Sequence, residues 1–144
     1  MTLIYPGNFK FLGPKTFHNN GLFPKGDPRW VIDHYTVSGG DGAADAKRLH
    51  GKNENSVSVQ FVVGATGLVF QLCDPMLSCN NAGKSSWEGV SGLNRHSIGI
   101  EFVNYGFGFP EKHHSSVMLA HKNDPRKIIP WEVFPEVQIV AGVN

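Results

Sequence analysis

The sequence predicts an α/β fold, a single domain with a mixed central β-sheet flanked by helices. Two observations carry this. Three stretches of its 144 residues are rich in β-branched and aromatic residues and bounded by Gly or Pro, and two helix-like segments are interleaved with them. The order strand, helix, hairpin, strand, helix fits one core, and the length suits one domain.

The first strand is Trp30 to Val37, WVIDHYTV, between Pro28 and Gly39. GGDG at 39–42 is a loop in which Asp41 is placed to cap a helix, and AADAKRLHGKN follows as that helix, with Gly51 suited to its end. SVSVQFVV at 56–63 alternates with period two, which puts Val57, Val59, Phe61 and Val63 on one face. The turn GATG and the returning strand LVFQL at 68–72 complete a hairpin. HSIGIEFVN at 96–104 is another strand, and Gly99 within it suggests a close backbone approach. Phe134-Pro135-Glu136 opens the last helix, with Val137, Val140 and Ala141 at i, i+3 and i+4. Residues 1–28 are rich in Gly, Pro and Asn and read as an irregular N-terminal arm. Removal of about 25 residues from it is expected to leave the fold largely intact. Residues 73–96 read as loop, and 105–130 as a long loop without period.

Composition excludes several function classes. Hydrophobic residues are 40% and charged residues 17%, which suits a packed core rather than a disordered chain. Thirteen basic against twelve acidic residues give a net charge of +1, so no strong field favours nucleic acid. No apolar run is long enough to span a bilayer. The start, MTLIYPGNFKFLG, is not a secretory signal, which makes the cytoplasm the expected location unless lysis releases the protein. A monomer is expected. Cys73 and Cys79 read as reduced thiols in a loop. A disulfide there is possible, and their spacing does not suit a zinc pair.

Taken on its own, His34 is either a strand histidine completing a polar edge or a metal ligand at a strand's mouth, since neutral imidazole is a good zinc donor. Glu101, in IGIEF, is either a solvated carboxylate or a partly buried general base. The ordered set WVIDHYT, SVSVQFVVGATGLVFQLCD, NNAGKSSWEG and LNRHSIGIEFVNYG resembles the type 2 N-acetylmuramoyl-L-alanine amidases, whose fold is shared with peptidoglycan recognition proteins. The resemblance covers about residues 29–141, so residues 29–144 are expected to be an amidase-like domain.

The resemblance implies zinc-dependent hydrolysis of the amide between N-acetylmuramic acid and L-alanine, in peptidoglycan or muropeptides. It implies His34 as the first zinc ligand and Glu101 as the base serving the attacking water. Gly83, Ser85 and Trp87 match the family's HAG-x-S-x-W segment. Trp87 either stacks on a sugar face or plugs the loop. Asn81 stands where many relatives carry His, and Gln60 also departs from a frequent His. Asn81, Asn94 and Trp87 are the candidate substrate-binding residues, although Asn94 also reads as a loop-fixing residue. His18, His50, His96, His113, His114 and His121 form no ligand pattern. In relatives the helix beginning at FPEVQ leads to a second His and an Asp or Cys ligand. Residues 1–144 are therefore expected to lack the later ligands and to hold zinc weakly. The alternative is a non-catalytic peptidoglycan-binding module, or an inactive fragment of such an amidase.

Overall fold

A computed structural model describes residues 9–108, 115–121 and 123–143. In chain order the elements are β1 (Phe9–Phe11), β2 (Asn19–Leu22), β3 (Trp30–Tyr35), α1 (Ala43–His50), β4 (Phe61–Val63), β5 (Val69–Gln71), β6 (Leu77–Cys79), β7 (Ser86–Trp87), β8 (Val90–Ser91), β9 (Ser97–Phe102), β10 (Ser116–His121), β11 (Asp124–Glu132) and α2 (Glu136–Val143). The central sheet has the order β1-β5-β4-β9-β3. It is mixed: β4 and β5 are the antiparallel hairpin, while β1 on β5, β9 on β4 and β3 on β9 are parallel pairs.

The helix α1 starts where its sequence signal stands. Gly42 takes a left-handed φ of 85°, and the Asp41 carboxylate accepts the Ala43 amide at 2.9 Å. The buried Ala46 and Leu49 of α1 join Val59, Val62, Phe70, Leu72 and Val103 in the main core cluster. The other helix, α2, lies at the far ends of β4 and β9 and is held there by a polar anchor. Gln138 is fully buried, and its amide donates to the carbonyls of Val63 and Val103 at 2.9 Å each. The apolar positions Val137 and Val140 of α2 are about half exposed.

Four segments depart from the sequence expectation. Residues 9–28 are not irregular throughout. Here β1 adds the edge strand beside β5, and β2 pairs antiparallel with β6. Both are short and have one face in water, so they lack the buried alternation that identifies a strand. Residues 105–130 contain the antiparallel pair β10–β11 rather than loop alone. Pro125 and Pro130 within β11 argue against a strand in sequence, yet a two-stranded ribbon has free edges where Pro is tolerated. Residues 109–114 of that stretch, with His113 and His114, lie outside the described residues. Residues 73–96 likewise hold β6, the small β7–β8 hairpin and a 3₁₀ turn at Leu93–Arg95. Finally, Ser56 to Gln60 precedes β4 instead of extending it. Val62 and Val63 are both buried, because helices cover both faces of the sheet at that point.

Candidate active site

The site is built by strand register. Parallel pairing places His34 of β3 opposite Glu101 of β9, and Glu101 in turn opposite Val62 of β4. Residues in register on neighbouring strands point to the same face, so His34, Glu101 and Val62 form one row across the sheet. Because Val62 belongs to the cluster packed by Ala46 and Leu49, this is the face that α1 covers.

Burial sets the chemistry of both groups. His34 Nε2 and Glu101 Oε2 are each buried and meet no hydrogen-bond partner. Such orphans are uncommon in folded chains and mark places where a missing partner is expected. Burial holds the His34 imidazole below its ordinary value against the pull of Asp33, so the ring is neutral and free to donate a lone pair. The Glu101 carboxyl is pushed up to about 7, first by burial. Arg48 of α1 acts against that shift and Asp45 of α1 adds to it. A carboxyl of that strength exchanges its proton near neutral pH.

Glycine makes room for the loop beside this row. A Cβ at Gly99 would stand 2.5 Å from Asn81 Cβ, so the 80–83 loop lies directly on β9. Asn81 is nearly buried there. Its amide donates to the Ser97 carbonyl and its oxygen accepts the Ser97 hydroxyl, both at 3.3 Å. Asn94 accepts the Ala82 amide at 2.7 Å through Oδ1 and the Ser78 hydroxyl at 2.6 Å through its carbonyl. Both asparagines, candidate substrate-binding residues of which Asn94 also reads from sequence as loop-fixing, are engaged in fixing the loop. Trp87 is different. It is 60% exposed and lines an apolar hollow of about 240 Å³ with Trp30, Val31, Ile32, Ser86 and Leu93. Trp30, Ile32 and His34 alternate along β3 and share a face, so the hollow opens on the His34 side of the sheet.

Sequence reasoning missed Trp30, Asp45 and Arg48, and read Gln60 only as a departure from a frequent His. Trp30 carries the other aromatic wall of the hollow, a role that its position four residues before His34 could have suggested. Asp45 and Arg48 act on Glu101 from α1, and no sequence pattern ties them to it. Gln60 is fully buried, accepts the Gly99 amide at 2.8 Å and donates to the Leu77 carbonyl at 2.7 Å, which locks the backbone two residues from Glu101.

The raised Glu101 carboxyl predicts a pH-dependent stability. The folded chain binds this proton more tightly than the unfolded chain. The associated stability is therefore present below pH 4.5 and is lost as pH rises from 4.5 to about 7. Glu101→Gln mimics the neutral acid. In the metal-free chain it is expected to raise unfolding free energy by about 1–3 kcal/mol at about pH 8 and to change it little near pH 4. Urea titration at the two pH values measures this. Equal effects at both would contradict the buried carboxyl.

Comparison with known proteins agrees with this architecture. The family model described as N-acetylmuramoyl-L-alanine amidase matches residues 24–144. Among solved structures, the N-acetylmuramyl-L-alanine amidase AmiD from E. coli, complexed with the substrate anhydro-N-acetylmuramic acid-L-Ala-D-γ-Glu-L-Lys, is 24% identical. It superposes with a TM-score of 0.59 over 86% of this chain and 42% of its own. An AmpD is 21% identical, with a TM-score of 0.54 over 72% of this chain and 66% of its own. AmpDh3 from Pseudomonas aeruginosa, in complex with anhydromuramic pentapeptide, is 21% identical, with a TM-score of 0.52 over 98% of this chain and 48% of its own. The chain thus spans less than half of AmiD and AmpDh3. No curated protein matches it.

Proposed function

The chain belongs to the N-acetylmuramoyl-L-alanine amidase family, and from that premise we propose that it hydrolyses the amide between N-acetylmuramic acid and L-alanine in peptidoglycan or muropeptides. The observation that carries the proposal is the half-buried row of His34 and Glu101, in which the carboxyl is pushed to about 7. An amide hydrolase needs a group that takes a proton from water and later gives it to a poor leaving amine. A carboxyl poised near neutral pH does both.

In the proposed reaction Glu101 accepts a proton from the water that attacks the lactyl carbonyl carbon of the muramoyl group. The carbon–nitrogen bond then breaks, and Glu101 returns the proton to the departing amine of L-alanine. The hollow between Trp30 and Trp87 offers aromatic faces to the saccharide and orients the bond over the sheet. Asn81 and Asn94 act indirectly, by holding the loop that carries Ser85 and Trp87.

Zinc, the cofactor that the resemblance implies, is matched only in part by the described residues. The buried, unpartnered Nε2 of the neutral His34 is a suitable donor. Among the described residues, however, no group of three or more His, Cys, Asp or Glu could hold a metal ion. A catalytic zinc takes about three protein ligands and one open position. His34 alone does not supply that set, and the chemistry above is confined to the chain's own residues.

This shortfall favours one second reading, a module that binds muropeptide without cutting it. Incubation with a muramoyl-L-alanyl peptide separates the two. Release of the stem peptide with a free L-alanine amino terminus, detected by mass spectrometry, is the expected result for the amidase. Saturable binding of intact muropeptide without release would support the module. Either substrate, polymeric wall or small muropeptide, is compatible with the site. No helix among the described residues is long and apolar enough to cross a membrane.

A further inference from the structure

Cys73 and Cys79 stand apart from the catalytic row and are not used by it. Cys73 follows β5, Cys79 ends β6, and both are fully buried free thiols. Their sulfurs are 3.4 Å apart, in direct contact, across the short connection 74–78. A disulfide bond needs about 2.05 Å between sulfurs, so a shift of little more than an ångström would close it. The connection is already shaped as a closed turn. The Leu77 amide donates to the Asp74 carbonyl at 2.9 Å, and the Met76 amide donates to the Asp74 carboxylate at 2.9 Å.

We propose that Cys73 and Cys79 form a reversible disulfide in oxidising surroundings, stapling β5 to β6 and, through β6, securing the loop that carries Asn81. The sequence places Asn81 two residues after Cys79, and β6 is itself clamped from outside by β2 through the Asn19–Cys79 register. A staple at Cys79 therefore fixes the root of the segment that lies on Gly99 beside Glu101.

The two thiols have unequal roles. Cys79 Sγ is in hydrogen-bond contact with the Cys73 thiol and the Thr16 hydroxyl, and with Ser58 nearby these hold its thiol below the ordinary value against the effect of burial. Thr16 Oγ1 lies 3.8 Å from its sulfur. Cys73, as the donor in the pair, is pushed up. Cys79 is accordingly the attacking sulfur once local opening admits an oxidant, and the half-exposed Met76 marks the thin side of the cover. With a small disulfide such as oxidised glutathione, the Cys79 thiolate attacks one sulfur and releases one glutathione thiol. Cys73 then attacks the Cys79 sulfur of the mixed disulfide, loses its proton and expels the second glutathione thiol. Two protein thiols are oxidised and one glutathione disulfide is reduced. The pair would remain reduced in a reducing cytoplasm and close outside it.

The test uses the whole chain equilibrated in glutathione buffers from fully reduced to fully oxidised, quenched with an alkylating agent, and followed by intact mass and thermal melting. The expected result is joint loss of both alkylatable thiols, a mass lower by two hydrogens, and a Tm about 5 °C or more above the reduced chain. Cys73→Ala should abolish that Tm difference. If this variant does not fold, the reduced and oxidised wild-type chains still decide the matter. Persistence of two free thiols under excess oxidised glutathione, a stable glutathione adduct without ring closure, or closure that lowers Tm would each overturn the proposal.

Discussion

Glu101→Gln is expected to lower cleavage of a muramoyl-L-alanyl amide by about 100-fold or more, in any form of the protein that turns over, with little change in KM. Glutamine preserves the shape of the side chain and its place in the row with His34 and Val62. It removes the one feature the reaction needs, a proton acceptor near neutral strength. In the wild-type protein, kcat/KM should rise with pH through about 7, because the ionised carboxylate is the competent form. That limb should disappear in the variant. Steady-state kinetics across about pH 5 to 9 measures both effects. A variant with more than about a tenth of wild-type turnover would assign the base to another group.

Removal of residues 1–25 is expected to abolish cooperative folding of the remainder. The sequence suggests the opposite, because this segment has no periodic apolar face. Its role in the structure is nevertheless structural. Its loss would strip β1 from β5, leaving β5 as a bare edge, and β2 from β6. Thr16 and Phe23, both buried, would go with it. The Ser58 hydroxyl would lose the His18 carbonyl, and the His50 carbonyl at the end of α1 would lose the Phe17 amide. One buried Phe contributes about 1.5–3 kcal/mol. Each buried polar group left without a partner costs about 1–3 kcal/mol. Together these approach the roughly 5–15 kcal/mol that holds a domain folded. The anchoring does not come from Phe11 and Phe17, which are 56% and 61% exposed. Circular dichroism of residues 26–144 during heating provides the measurement. A sharp transition within a few degrees of the full chain would contradict this assignment.

These two predictions draw on different degrees of legibility in the sequence. That His34 and Glu101 share one row could be read in advance because period-two alternation fixes faces. His34 in WVIDHYT and Glu101 in SIGIEF each sit in a strand with a clear hydrophobic pattern, and parallel register does the rest. The hairpin β4–β5 was visible for the same reason, and both helices through their end signals. Segments with weak burial were not. The strands β1 and β2 have one face in water, and β10 and β11 are a largely exposed ribbon, so none writes an apolar period into the sequence. Asn81 and Asn94 illustrate another limit. Their partners are backbone groups and a serine 12 to 16 residues away in sequence. A motif comparison marks such residues as candidates but does not tell whether they face substrate or scaffold.

The most direct test of the account is zinc content and cleavage of a muramoyl-L-alanyl amide measured side by side in the 144-residue chain and its Glu101→Gln variant. His34 and Glu101 share one row, but among the described residues no group of three or more His, Cys, Asp or Glu could hold a metal ion. The account predicts stem-peptide release by the wild-type chain, with zinc held loosely and below one per chain. It predicts that Glu101→Gln suppresses that release by about 100-fold or more. Binding of intact muropeptide without release, or release unchanged in the variant, would contradict it.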